Sequence, residues 1–298
     1  MMKPTSLLLV LAGGLWLAQT VLAGEPTDKF PPFLYAAEGA QKIIRYGSAG
    51  KVAWEYPAPM ARDVWALPNG NVLFCFNRDY DGTRHDNPSG VMEVTQDKRV
   101  VFSFSTTGQV WSCQRLLDGS TLVGAASQGK LLVVNPEAKI IRTIPLLSPP
   151  GHSCLRNVRQ IANGNLLVAE ESAHAAREYS AEGKLVREIK LLFAPYSVVR
   201  LENGNTVICG QQSMVEVDPA DKIIWSVAGK DLPELGVRWF AGIQVLHNSN
   251  VFICNAGGRV PFFELSRDKR VVWRSPGVMD VPLGHGIQRL DVEGRVWK

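Results

Sequence analysis

Two short motifs recur along the chain, and no other feature restricts its fold as much. The first is a hairpin turn: "LPNGNVLFCF" (67–76), "LLDGSTLVGA" (116–125), "IANGNLLVAE" (161–170), "LENGNTVICG" (201–210) and "LHNSNVFICN" (246–255). The turns start at Asn69, Asp118, Asn163, Asn203 and Asn248, at intervals of 49, 45, 40 and 45 residues. Four of them place Asn-Gly or Asp-Gly between strand-like apolar runs. Those residues tolerate the positive φ that tight hairpin turns demand. A sixth, degraded copy is "GIQRLDVEGRVW" (286–297), whose start matches "GIQVLHNSNVF" (242–252).

The second motif follows each turn. "YGSAGKVAW" (46–54), "VTQDKRVVF" (94–102), "VNPEAKIIR" (134–142), "YSAEGKLVR" (179–187), "VDPADKIIW" (217–225) and "LSRDKRVVW" (265–273) align without gaps. The sixth column is always basic: Lys51, Arg99, Lys139, Lys184, Lys222 and Arg270. The seventh is aliphatic, and the ninth holds Trp54, Phe102, Arg142, Arg187, Trp225 or Trp273. Each segment is a polar turn feeding a β-rich run, hence a second hairpin.

Two hairpins in 40–48 residues make the four strands of a propeller blade. A sandwich or solenoid of stacked hairpins is the alternative, and the regular spacing and the chain ends argue against it. The N-terminal part supplies only the later piece of a unit (33–57) and the C-terminal part only the first piece (284–294). Joined, they complete a ring and leave no open sheet edge. The expected fold is all-β: a six-bladed β-propeller of four-stranded antiparallel blades, one domain over 24–298. The closing blade takes one C-terminal and three N-terminal strands, or two and two if "RVWK" begins another.

The pattern D-V-x-x-L-P-N-G-N-x-L, followed by V-x-E-V and K-x-V-x-W, resembles the repeats of exported bacterial propellers. These include the arylsulfotransferase-like group and the propellers similar to pyrroloquinoline-quinone (PQQ-like) repeats. The resemblance covers nearly the whole mature chain and implies the architecture, since such propellers host unrelated activities. Six blades are few for the quinoprotein dehydrogenases, and no adjacent Cys pair is present, so no cofactor is expected.

The first residues read as a targeting segment. Lys3, an apolar run from Leu7 to about Leu17, and Val21-Leu22-Ala23 form a signal peptide with cleavage after Ala23. A membrane anchor is the alternative, but the run is short for a span. The mature protein is then periplasmic or secreted. The formal charge of +4 falls to +3 once Lys3 is removed. No basic cluster with interleaved aromatics accompanies it, which excludes nucleic acid as a partner. A monomer free of the membrane is expected, with a small molecule, glycan or protein as ligand.

Counting from the turns sorts the core. Cys75, Gly124, Ala169, Cys209, Cys254 and Ala36 share a column that accepts only small residues, a tight slot between blades. Cys113 shares an apolar column with Val64, Val158, Val198, Ile243 and Ile287. Only Cys154 lies outside a repeat slot, and a Cys113–Cys154 disulfide is an open possibility in an oxidising compartment. The Trp column is read as packing, the basic column as solvated, and the Asn-Gly turn as fixing strand register and little else.

Both repeated turns fall on one face of the ring. The uneven segments, which are the blade connections and the loops between second and third strands, converge on the other face around the channel mouth, where binding residues belong. The connections carry Arg62, Asp63, Trp111, His152, Arg156, Tyr196, Arg238, Trp239 and His285. Four of the five His (85, 152, 174, 285) are on this face, and His247 lies beside a turn. Trp111, Tyr196 and Trp239 with Arg62, Asp63 and Arg156 suit a polar ligand. His152 or His285 suits a catalytic nucleophile or base. The arylsulfotransferase resemblance implies such a His, but Arg62-Asp63 stands where those enzymes often begin a blade with His-Asp. A metal loop at Asp79, Asp81, His85 and Asp86 lacks calcium-loop spacing, so no metal is expected. The leading expectation is ligand binding at this face. The alternative is a channel enzyme of arylsulfotransferase, lyase or hydrolase type.

Overall fold

In a computed structural model, which describes residues 29–78, 88–276, 281–294, 296 and 298, the repeats fold into six four-stranded antiparallel sheets. Numbered in chain order, blade one is β4 (Val64–Ala66), β5 (Val72–Phe76), β6 (Ser89–Val94) and β7 (Val100–Thr106). Blade two is β8 (Val110–Arg115), β9 (Thr121–Ala125), β10 (Lys130–Val134) and β11 (Ile140–Pro145). Blade three is β12 (Asn157–Gln160), β13 (Leu166–Glu170), β14 (Ala175–Tyr179) and β15 (Leu185–Lys190). Blade four is β16 (Pro195–Arg200), β17 (Thr206–Gly210), β18 (Ser213–Val217) and β19 (Ile223–Ala228). Blade five is β20 (Phe240–Val245), β21 (Val251–Asn255), β22 (Phe262–Leu265) and β23 (Val271–Arg274). In blade six, β24 (Ile287–Arg289) pairs with β1 (Phe33–Ala37), which continues into β2 (Lys42–Tyr46) and β3 (Val52–Pro57). The closing blade therefore takes one strand from the C-terminal part and three from the N-terminal part. The fold is a six-bladed β-propeller.

The core lies between blades rather than within them. Six apolar clusters each join two consecutive blades, such as Leu73, Cys75 and Val91 of blade one with Cys113, Val123 and Leu132 of blade two. Second strands are covered on both faces, so all five residues of β1, β5, β9, β13, β17 and β21 are buried. That is why their sequences read as unbroken apolar runs instead of alternating. The small column behaves as expected. A Cβ on Gly124 would come within 2.8 Å of Leu155 in the next blade. All five cysteines are buried and free, so the Cys113–Cys154 disulfide is not formed.

The turns do more than fix register. In four of the five turns the second Asn reaches a glutamate on the third strand: Asn71 to Glu93 at 2.7 Å, Asn165 to Glu178 at 2.7 Å, Asn205 to Glu216 at 2.6 Å, Asn250 to Glu264 at 2.6 Å. Each glutamate also takes an arginine from the following blade: Arg115, Arg200, Arg267 and Arg289 respectively. The turn is thus one half of a latch between blades. The column of Trp and Arg has a similar logic. Trp54 Nε1, Arg142, Arg187 and Trp225 Nε1 all donate to a carbonyl in the next blade's outer turn, at Gln96, Ala181, Asp218 and Arg267. Trp and Arg alternate in that column because both combine a flat apolar body with an N–H donor.

The basic column, Lys51 through Arg270, is exposed throughout. Beside it, two consecutive residues of every outer strand face one residue of the third strand, a β-bulge repeated in all six blades. Such bulges twist an outer strand away from pairing with other chains.

Candidate functional site

Each inner strand begins on the variable face, so the residues just before it stand around the channel mouth. Arg62, Arg156, Asn157, Tyr196, Ser197 and His285 line a cavity there, with Asp63, Arg159 and Lys298 also on its wall. The cavity is small, about 10 Å³, room for about one water. The wider groove beside Asn69, Glu93 and Arg115 lies on the repeated-turn face, and there those polar groups bond one another.

The mouth is built in two tiers. In the outer tier, two loops between second and third strands each bring in a carboxylate. Glu38 accepts from Arg62 Nη2 at 2.8 Å and lies 2.6 Å from His285 Nε2. Glu171 accepts from Arg156 Nε at 2.6 Å. Aromatic rings fill the gaps. Tyr196 stacks on His285 with centroids 5.0 Å apart and planes 9° from parallel. Arg62 lies 4.1 Å over the Trp111 ring, whose Nε1 donates to the His152 carbonyl at 3.0 Å. Of the three aromatics expected to offer open faces, Trp111 and Tyr196 are buried in these internal stacks, and Trp239 remains partly exposed beside Tyr196.

The inner tier centres on Asp63. Its Oδ2 accepts from Arg159 Nη1 at 2.8 Å, Ser112 Oγ at 2.9 Å and the Cys113 backbone N–H at 3.1 Å. Its Oδ1 accepts from Arg159 Nη2 at 3.0 Å and lies 3.7 Å from Lys298 Nζ. Both oxygens are spent holding blades one, two and three together, so Asp63 has no lone pair directed at the mouth. Burial alone would raise its carboxyl, but Arg159 and Lys298 outweigh burial and hold it below the usual range. Lys298 enters the channel from the chain's last segment. It donates to the Val64 and Ile287 carbonyls and sits 4.4 Å over the Trp65 ring. Burial pulls its ammonium down to about 8, against the pull of Asp63.

Electrostatically the outer tier is balanced, with two arginines facing two carboxylates. Burial and then the two arginines press His285 down to about 4, although Glu38 opposes them. His152 is lowered to about 4 by the same causes and lies edge-on to Trp111, off the cavity wall. Burial would raise Glu38, but His285 and Arg62 bring it down to about 2. His285 is therefore neutral and Glu38 ionised at neutral pH.

This sets a pH dependence. His285 is depressed below its unfolded value of about 6.5, so the unfolded chain binds its proton first as pH falls. Stability is expected to fall by about 3 kcal/mol between pH 6.5 and 4 from this group. Glu38 contributes a further loss only below about pH 4.5. Urea titrations across this range check the prediction, and His285→Asn should lessen the loss in the upper window, where His152, lowered likewise to about 4, still contributes.

Four side chains on the cavity wall hold buried polar atoms with no hydrogen-bond partner among the described residues: Arg156 Nη1, Asn157 Oδ1, Tyr196 Oη and both ring nitrogens of His285. All four side chains are more than nine-tenths buried. Unmade hydrogen bonds at such depth are costly, and native structures hold few of them.

Of the residues expected from sequence, Arg62, Asp63, Arg156, Tyr196 and His285 share one cavity wall, with Trp111 and His152 packed behind it and Trp239 at the rim. Glu38 and Glu171 were not foreseen. Glu38 lies in the short turn after β1, in the closing blade, where no repeat column marks it. The proposed metal loop and the signal segment lie outside the described residues. Among the described residues no three His, Cys, Asp or Glu converge as metal ligands.

No family model matches the chain, and no curated protein matches it. Solved structures do. A protein of unknown function from Bacteroides caccae superposes with a TM-score of 0.71 at 22% identity, over 82% of this chain and 93% of its own. A streptogramin B lyase gives 0.63 at 14%, over 86% and 83%. A catalytically inactive histidine-to-alanine virginiamycin B lyase from Staphylococcus aureus, solved with quinupristin, gives 0.61 at 13%, over 87% and 88%. At these identities the likeness is one of fold.

Proposed function

We propose that this protein, exported by its N-terminal segment, binds a small polar molecule at the channel mouth of its variable face. The observation that carries this reading is the set of four side chains with unpartnered buried atoms, Arg156 Nη1, Asn157 Oδ1, Tyr196 Oη and both ring nitrogens of His285, on one cavity wall. A ligand that bonds to these groups adds the free energy of those hydrogen bonds to its affinity. A small molecule is favoured over a stacked glycan because the Trp111 and Tyr196 faces are already covered.

One observation favours a second reading. His285 lines the cavity and sets Nε2 2.6 Å from the ionised Glu38, a pairing suited to an acid–base group. Acid–base chemistry of lyase or arylsulfotransferase type on the bound molecule would use it, in keeping with the sequence resemblance and with the lyases that share the fold.

A thermal-shift screen of polar metabolites tests the first reading, because a ligand of the folded state raises the melting temperature. At 100 times its dissociation constant it adds about 2.7 kcal/mol. The shift should disappear in Arg156→Lys, which keeps the charge and removes Nη1. Hits whose shift persists in that variant bind elsewhere and overturn the reading. Turnover of any hit that survives both His285→Asn and His152→Asn overturns the acid–base version.

A further inference from the structure

The innermost strand of every blade turns its unpaired edge to the central channel, and two of these strands, β4 and β24, face Lys298. Its Nζ donates to the Val64 carbonyl of β4 and, at 3.2 Å, to the Ile287 carbonyl of β24. It also lies 3.7 Å from Asp63 Oδ1 and 4.4 Å over the Trp65 ring. A lysine ammonium has three N–H donors and no acceptor, and three oxygens stand around this one beside an aromatic face that attracts cations. The main-chain oxygen of the same residue accepts from Arg159 Nε at 2.6 Å. With its side chain 2% exposed, Lys298 is gripped at both ends.

Asp63 does not depend on that lysine for its pairing. It keeps Arg159 on both oxygens, together with Ser112 Oγ and the Cys113 N–H. Asp63 and Arg159 cancel, so Lys298 is the surplus cation of the inner tier. Burial outweighs its partners and pulls the ammonium down to about 8, so the charge is held there at a cost. The segment after β24 is fixed on the repeated-turn face by Leu290 N–H to the Pro32 carbonyl at 2.9 Å and by His247 Nε2 against the Glu293 carbonyl at 2.5 Å. Lys298 therefore enters the channel from that side. At its other side it shares the wall of the mouth cavity with Asp63 and Arg159.

We propose that the inner channel is a recognition site for a primary alkylamine, which this chain fills with its own Lys298. The lysine is a tethered occupant that plugs the channel beneath the mouth. An amine from outside the chain competes with it, turns it out of the channel and deepens the mouth cavity. The two carbonyls select a primary amine. A quaternary ammonium carries the charge but has no N–H for them, and an alcohol brings one donor and no charge for Asp63. This inference concerns the inner tier and does not rest on the binding reading above.

The test compares the full chain with its Lys298→Ala variant at pH 7. Alanine removes Cγ, Cδ, Cε and Nζ, the heavy atoms of n-propylamine. That amine should raise the melting temperature of Lys298→Ala and bind it at least about tenfold more tightly than the unaltered chain, where a tethered competitor holds the site. n-Propyltrimethylammonium and n-propanol should bind Lys298→Ala about tenfold more weakly than n-propylamine does, for the hydrogen bonds they cannot make. Adding Trp65→Leu to Lys298→Ala should weaken n-propylamine about two- to fivefold, for the lost cation–π contact. In the unaltered chain, NMR should show the Lys298 Cε resonance, displaced by the Trp65 ring, moving toward that of a solvent-exposed lysine as n-butylamine is added in excess, while the protein stays folded.

Equal binding of n-propylamine by the two chains places the amine elsewhere and overturns the site. Equal binding of the quaternary ammonium or the alcohol overturns the selection for a primary amine. A lysine that only braces the ring keeps its resonance until the protein unfolds, and that result overturns the plug. Should Lys298→Ala fail to fold, the resonance experiment on the unaltered chain decides.

Discussion

Asp63→Ala is expected to destabilise the protein by about 3–5 kcal/mol, the usual result of stranding a buried charge. The substitution leaves the Arg159 guanidinium and the Lys298 ammonium inside the channel without their carboxylate, and removes the acceptor of Ser112 Oγ and the Cys113 N–H. Urea denaturation at pH 7 measures it. Lys298→Met serves as the comparison. It removes one buried cation and keeps apolar volume, so it should cost far less than Asp63→Ala. Combining Lys298→Met with Asp63→Ala should recover part of the loss, because a single stranded charge then remains. An effect below about 1 kcal/mol for Asp63→Ala would mean that water reaches the channel and screens these ions.

The second large effect is steric. Gly242 in β20 lies against the chain entering β24, and a Cβ there would stand 2.1 Å from the His285 carbonyl oxygen. Backbone cannot yield as a flexible side-chain end can, so Gly242→Ala must push the closing strand away from its neighbour. The expected cost is about 3 kcal/mol, at the upper end for overpacking. Because β24 pairs with β1 over only three residues, the damage should concentrate at ring closure. Limited proteolysis should cut near residues 281–290 far faster in this variant, and ligand-dependent thermal shifts should vanish with the displacement of His285. Glycine is therefore required at this point for close approach rather than for unusual dihedral angles.

Much of the architecture was readable because its signals are local and repeated. Asn-Gly turns, the basic column and the small column each recur, and their spacing alone gives the blade number. The split of the closing blade follows from which half of a unit each chain end supplies. The latch was not readable. Asn71 and Glu93 are distant in sequence and each looks ordinary alone, so only the fold reveals that they meet. The site followed the same division. Arg62, Arg156, Tyr196 and His285 stood out as irregular residues at corresponding places in the blades. Glu38 and Glu171 did not, since a lone glutamate in a surface turn carries no pattern. Asp63 was placed in the correct neighbourhood, yet its partners Arg159 and Lys298 come from 96 residues away and from the last segment, and they turn it from ligand contact to internal tie. The aromatic faces were likewise visible as residues but not as stacks.

The pairing of Phe33 with Arg289 also imposes an order in time. As the chain is synthesised, β1 to β3 emerge first and must wait for almost everything else before their innermost partner exists. Until then blade six has an unpaired edge at β1, blade five lacks its neighbour, and the mouth lacks both His285 and the strand that holds it. Five blades can form by local pairing, but the sixth closes only after release of nearly the whole chain, by a contact of very long sequence separation. Such contacts are slow to form. The cavity at the channel mouth is therefore complete only once β24 has paired with β1, and any factor that shields exposed strand edges before that would act on the open ring rather than on the finished one.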